Sequence, residues 1–470
     1  MPMPAGIGML TSLQTLRKFV VGARPGSSSK HCFNGLEDLQ HLNKLKGTLK
    51  IEIEVLINAK FVKEEHGGGA YLRSKEHLET IVINFRRGME YGSKESEQAL
   101  LEEMQPHHDI KTLELNGYHG ETIPRWPGRV DNSASFDYPN LVTLKINDCS
   151  ELLYLPWQIG KLPYLKTLQI SELLNIEYVA DAVSETFVLG EGSSFFPSLH
   201  DLKIFRLPKL KGWRRRSESG SQVINPNDSG ISGEAHVEWE SSPCFPVLKK
   251  LSIESCDKMM LVPLCPQLEH FVIRDFRGAI SVTPCYQPPS SYLKLKKLET
   301  NNLEWLKSMS IKFTKFLSKI EIGFDMRLES LGEVKELFPA FLLSSLRTLY
   351  ISNCPKLKSV GGWLEHLSAL ESLCIRECPK VELGGISWRN LAATLQTLFL
   401  KKFVEMEELP DGIQYCISLR SLSIWDCPKL KYLPKWMPKL TSVQTVELLY
   451  CSESLMERCQ QPNGEDWPLI

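Results

Sequence analysis

The apolar positions of this chain recur in a fixed phrase. It reads LVTLKINDC from Leu141, LKKLSIESC from Leu248, LRTLYISNC from Leu346, LESLCIREC from Leu370 and LRSLSIWDC from Leu419. Inside each copy, Leu-x-x-Leu-x-Ile alternates apolar and polar residues, the period of a strand buried on one face. Further copies start at Leu78, Ile110, Leu165, Leu199, Leu268, Leu317, Leu395 and Val443, with weaker ones near Leu13, Leu49 and Leu298. The starts at 346, 370, 395, 419 and 443 are separated by 24, 25, 24 and 24 residues.

Self-similarity at this period predicts a leucine-rich-repeat solenoid, an α/β fold of about fifteen irregular coils. One strand per coil builds a parallel sheet on the concave side of a curved horseshoe, and the convex side is mostly loops and short helical turns. A second phrase, as in CPKLKYLPKWMPKLTSV from Cys427, returns the chain; its prolines have no amide to give a ladder and belong outside the strands. A single domain over 1–470 is expected, with irregular repeats in 1–126. Spacing breaks where 34 residues separate Leu165 from Leu199 and 49 separate Leu199 from Leu248, so the excess has to loop out. The Ser/Gly/Pro-rich run Gly212–Pro243 reads as a mobile insertion.

Alternation sends the Leu and Ile inward and leaves the x positions to face a partner. Those positions supply the candidate contact residues Lys145, Gln169, Lys203, Arg274, Tyr350, Arg376, Phe399, Lys401, Trp425 and Glu447. Tyr350, Arg376, Phe399 and Trp425 fall on four of five consecutive coils and include the types enriched at interface hot spots, so they form the preferred strip.

Charge narrows the partner class. With 55 Lys+Arg against 56 Asp+Glu, no global field points to nucleic acid or a membrane. Arg214–Arg216 is followed by Glu218 and Asp228 and makes no extended basic stripe. No stretch approaches the ~20 apolar residues of a membrane span, and the amino terminus lacks a signal pattern, so a soluble cytoplasmic protein is expected.

Of thirteen cysteines, Cys149, Cys256, Cys354, Cys378, Cys427 and Cys451 occupy the last slot of the phrase, where small buried thiols pack in a reduced compartment. Cys374, between Leu373 and Ile375, is expected to face out. Adjacent histidines point to different sides of an extended chain, so His107-His108 reads as a connector and not as a metal site. Nucleophile-elbow, zincin, EF-hand, dinucleotide and phosphate-loop signatures are absent, and no enzyme, cofactor or metal is expected.

Four longer phrases follow one another: PAGIGMLTSLQTLRKFVVG from Pro4, GLEDLQHLNKLKGTLKIEIEV from Gly35, AYLRSKEHLETIVINF from Ala70 and LLEEMQPHHDIKTLELNGYHGETIPRW from Leu100. This ordered set resembles the leucine-rich-repeat part of plant intracellular coiled-coil nucleotide-binding disease-resistance proteins. The resemblance implies a non-catalytic recognition module that senses a pathogen effector or guarded host protein and restrains a nucleotide switch. Implied partners are such an effector, the guarded protein, or the receptor's nucleotide-binding module. ADP or ATP would belong to that module, since this chain has no Gly-x-x-x-x-Gly-Lys-Ser/Thr loop. Two other readings stand beside it: the substrate-recruiting arm of a ubiquitin ligase, and a truncated decoy or inert receptor fragment.

Overall fold

The computed structural model describes residues 3–4, 6–21, 36–54, 71–86, 94–124, 126, 138–180, 196–214, 245–259, 265–275, 295–301, 318–323 and 345–469. The chain divides into two compact units, Met1–Pro266 with Arg277–Cys285 and Gln267–Phe276 with Tyr286–Ile470.

In the first unit the main-sheet strands are β1 (Lys18–Val21), β2 (Gly47–Glu54), β3 (Leu78–Arg86), β4 (Thr112–Asn116), β5 (Thr143–Asn147), β6 (Thr167–Ser171), β8 (Asp201–Phe205) and β10 (Lys250–Glu254), each parallel to the next. Two short strands, β7 (Tyr178–Ala180) and β9 (Gly212–Arg214), pair in a sheet of their own. The second unit holds β11 (His270–Arg274), β12 (Lys297–Thr300), β13 (Lys319–Gly323), β14 (Thr348–Ser352), β15 (Ser372–Arg376), β16 (Thr397–Lys401), β17 (Ser421–Trp425) and β18 (Thr445–Leu449), again all parallel. These are leucine-rich-repeat coils with one parallel strand each.

The expected phrase positions become register partners: Leu349, Leu373, Leu398 and Leu422 align across four strands and all are fully buried. The weak copy near Leu13 yields a strand only from Lys18. Prolines mark the return arms as expected, with Pro156 and Pro410 directly before the 3-10 turns Trp157–Lys161 and Asp411–Tyr415. The convex side carries one longer helix, α2 (Lys94–Glu103), beside the shorter α1 (Leu36–Gln40).

Ten of the main-sheet strands are followed by a residue in the left-handed region: Asp148, Glu172, Arg206, Ser255, Asp275, Asn353, Glu377, Lys402, Asp426 and Tyr450 have φ between 49° and 61°. That turn aims the residue's amide sideways at the neighbouring coil. Asp148 N–H donates to the Ser171 carbonyl at 2.9 Å, Glu377 N–H to Lys401 at 3.0 Å and Asp426 N–H to Leu449 at 2.9 Å. It also swings the next side chain inward. The thiols of Cys149, Cys256, Cys354, Cys378 and Cys427 each donate to the carbonyl two residues earlier, at 3.2–3.4 Å. These five are fully buried. Cys451 departs from the expectation: it is only half-buried, because β18 has a strand on one side alone among the described residues.

At Gly117 the left-handed slot (φ 71°) holds glycine for a second reason: an added Cβ would lie 2.4 Å from the Phe85 carbonyl oxygen. Tyr118 is fully buried and its hydroxyl donates to the Thr122 carbonyl at 2.9 Å, while a Cβ on Gly120 would meet that hydroxyl at 1.9 Å. Trp126 Nε1 donates to the Leu101 carbonyl on α2 at 3.2 Å. The Gly-Tyr-x-Gly and Pro-x-Trp phrase is therefore a packing device.

One expectation about spacing changes. Gly212–Arg214 belongs to β9 and not to an unpatterned insertion, because pairing with β7 satisfies its backbone. The remainder of that run, 215–243, lies outside the described residues. Among the described residues, no helix is long and apolar enough to cross a membrane.

Gly117→Ala is expected to lower stability by more than the ~1–2 kcal/mol of a left-handed Cβ alone, since the Phe85 contact adds to it. Urea unfolding measures this, and a wild-type midpoint would contradict the backbone argument. Lys75 is fully buried, with Nζ donating to Asn43 Oδ1 at 3.1 Å, and burial pushes its ammonium down to about 8. A base whose folded pKa lies below its unfolded value weakens the fold while protonated, and stability recovers as pH rises from about 8 toward 10.5. Lys75→Met should therefore stabilise by on the order of 3 kcal/mol below pH 8, with the gain shrinking above it. Unfolding at pH 7 and pH 10 tests the sign.

Candidate interaction surface

The exposed sheet face presents two rows of side chains. In the second unit the first row runs Tyr350, Cys374, Phe399, Ser423, Glu447, and the second runs Ser352, Arg376, Lys401, Trp425, Leu449. The expected strip thus spans both rows, with Tyr350 and Phe399 in one and Arg376 and Trp425 in the other. Phe399 and Trp425 meet edge to face, ring centroids 5.0 Å apart at 73°. Lys401 Nζ lies 5.7 Å from the Trp425 ring centroid and 3.6 Å from Asp426 Oδ2. Trp425 Nε1 is buried without an acceptor among the described residues.

Tyr350 stands apart from that cluster, under Lys319 Nζ at 4.2 Å. Arg376 is half-buried beside Lys401. Glu447 is exposed and accepts from Ser423 Oγ at 3.1 Å. Arg274 forms an ion pair with Glu299, which also pairs with Lys297. Cys374 does lie on this face, yet it is only 6% exposed, because the larger side chains on either side in its row cover a small thiol.

In the first unit the corresponding face is mostly polar, with Phe205 on β8 as an exposed aromatic. Asn116 Nδ2 donates to Asn84 Oδ1 at 2.6 Å, Asn147 Nδ2 to Asn116 Oδ1 at 2.8 Å, and Ser171 Oγ to Asn147 Oδ1 at 2.6 Å. Gln169 Nε2 joins this ladder at Asn147 Oδ1, 3.2 Å away, and Lys145 pairs with Glu114 at 3.3 Å. Lys203 is exposed. Farther toward the amino terminus, buried Glu52 takes Lys18 at 2.6 Å, Lys50 at 3.5 Å and Arg86. Burial by itself would raise the Glu52 pKa, but the Lys18 hydrogen bond and the three cations outweigh it and hold the carboxyl below its usual range.

Sequence reasoning missed Asn84, Asn116 and the Glu52 cluster. The Asn ladder had a signal, since Asn84, Asn116 and Asn147 follow the second core residue in three successive coils. Glu52 had none, because its cations come from three strands of unequal length.

Buried thiols are poor nucleophiles here: burial pushes Cys149, Cys256 and Cys416 up to about 12 and Cys427 to about 11. Cys378 goes the other way, lowered by its side-chain and backbone contacts with Cys354 against the effect of burial. His107 and His108 also depart from expectation. The connector is a turn closed by Ile110 N–H to the His107 carbonyl at 3.2 Å, so the two rings lie side by side with centroids 4.0 Å apart.

The family model for R13L1/DRL21 leucine-rich repeats matches residues 36–173. Protein At3g14460 of Arabidopsis thaliana, named as a disease resistance protein, is 30% identical over 258 residues, 53% of this chain and 15% of its own length. Disease resistance protein RGA2 of Solanum bulbocastanum is 27% identical over 256 residues, 54% of this chain and 22% of its own. This chain resembles the leucine-rich-repeat region of plant disease-resistance proteins. It spans a small part of those relatives, 15% and 22%. A solved leucine-rich-repeat protein of Leptospira interrogans aligns over 92% of this chain and 90% of its own, at 15% identity and TM-score 0.38.

The Phe399–Trp425 contact should register as a coupling of roughly 0.5–1.5 kcal/mol in a double-mutant cycle of unfolding. Strictly additive alanine substitutions would mean that the two rings do not share this geometry in solution.

Proposed function

We propose that this chain is the recognition part of a plant immune receptor, a non-catalytic surface acting in the cytoplasm. It senses a pathogen effector or a guarded host protein and restrains a nucleotide switch carried on other residues of the receptor. Similarity to the repeat regions of disease-resistance proteins carries the immune part of the reading. The aromatic cluster carries the contact part: Phe399 and Trp425 supply rigid apolar area, with Lys401 and Arg376 beside them for orientation.

Co-precipitation of the chain with separately expressed nucleotide-binding modules from related receptors tests this reading. Binding is expected for the native chain and lost when Tyr350, Arg376, Phe399 and Trp425 are all changed to alanine, with Trp425→Ala alone costing about 2 kcal/mol or more. Capture of a ubiquitin-ligase adaptor in place of those modules would favour substrate recruitment. Failure to bind any module would point to an inert fragment.

A further inference from the structure

Just before β4, the turn from His107 to Ile110 gathers three consecutive donor-bearing side chains, and one ligand atom from each of His107, His108 and Asp109 lies within 4.8 Å of the others. His108 Nε2 stands 3.3 Å from Asp109 Oδ2, and His107 Nδ1 stands 3.8 Å from the same oxygen. Around a tetrahedral ion with bonds of about 2.0–2.2 Å, ligand atoms are separated by roughly 3.3–3.6 Å. The two nitrogen-to-Oδ2 separations are therefore at or close to that spacing, and the third is within 4.8 Å.

Two further observations point to a ligand. His108 Nε2 is buried and, despite its nearness to Asp109, makes no aligned hydrogen bond among the described residues. Such a nitrogen is costly to leave unsatisfied, and an ion would satisfy it. From the next coil, Asn140 Nδ2 donates to Asp109 Oδ1 at 2.8 Å, which orients the carboxylate with Oδ2 toward the imidazoles. Asp109 and Asn140 line an open groove of about 840 Å³, so the carboxylate side of the site is reached from solvent. The Asp109 amide donates to His107 Nδ1 at a long 3.3 Å, a contact that an ion on this nitrogen must displace.

We infer that His107, His108 and Asp109 bind one divalent ion of the zinc class, with Asn140 as a positioning residue. Two imidazoles and a carboxylate suit zinc or cobalt, whereas calcium and magnesium take oxygen donors. The site ties the connector to the start of β4, so the bound ion stabilises the first unit by mass action. It is independent of the proposed immune role.

The test is titration of the metal-free full chain with Co2+, then displacement by Zn2+. The expected result is one equivalent, visible ligand-field bands without an intense thiolate-to-cobalt charge-transfer band, and a rise in Tm with zinc. His108→Gln and Asp109→Asn should each weaken affinity at least about tenfold with unchanged circular dichroism, and Asn140→Ala by about tenfold. A thiolate band, undiminished affinity in the His107→Gln/His108→Gln chain, or no binding by the native chain would overturn the assignment. Imidazole NMR signals of His107 and His108 give a readout that needs no variant: they must shift on zinc addition, and signals that stay in place reject the site.

Discussion

Every strand in both units depends on the apolar ladder in which equivalent Leu and Ile side chains stack from coil to coil. Leu349, Leu373, Leu398 and Leu422 form one rail, and Ile351, Ile375, Leu400 and Ile424 form the other. All eight are fully buried. A coil of about 24 residues has too little interior to bury those side chains alone, so each is stable only against its neighbours. The left-handed residue that follows β5 and nine further strands serves the same end. It costs some backbone strain, offset by an amide bond to the adjacent coil and by an inward turn that buries the following thiol.

Because the core takes every second side chain, the exposed face carries two rows, and the two units fill them differently. In the first unit the rows satisfy each other: Asn84, Asn116, Asn147 and Ser171 form a continuous hydrogen-bonded ladder, and Glu52 is ringed by cations. Groups already paired inside the fold gain little from a partner, since binding exchanges one set of hydrogen bonds for another. In the second unit Phe399 and Trp425 keep apolar area on the face, where desolvation by a partner is favourable. The proposed contact therefore rests on the second unit's aromatic cluster, whereas the ladder links β3, β4, β5 and β6 of the first.

The longer phrases that carry the resemblance mostly serve packing. Gly117, Tyr118, Gly120 and Trp126 lock the segment after β4 onto α2, and Glu97 fixes His119 by accepting its amide at 2.9 Å. The slot cysteines likewise are hydrogen-bonded core groups, and burial holds most of them as thiols. Resemblance through such residues therefore carries the fold far more securely than it carries the identity of a ligand, which depends on the exposed rows between them.

The sequence by itself determined the repeat, the parallel pairing, the strand registers and the side chains available to the exposed face. These follow from local alternation and from the spacing of Leu, Ile and Cys, which physics reads the same way in every coil. Tertiary structure alone decided what needs chain segments far apart or a turn in place of an extended run. The β7–β9 pairing joins residues on either side of a full coil. Glu52 collects its cations from β1, β2 and β3, and Cys374 is covered by its row neighbours. His107 and His108 meet because a hydrogen-bonded turn overrides the alternation that would have separated them, a closure set by three-dimensional packing and not by the hydrophobic period.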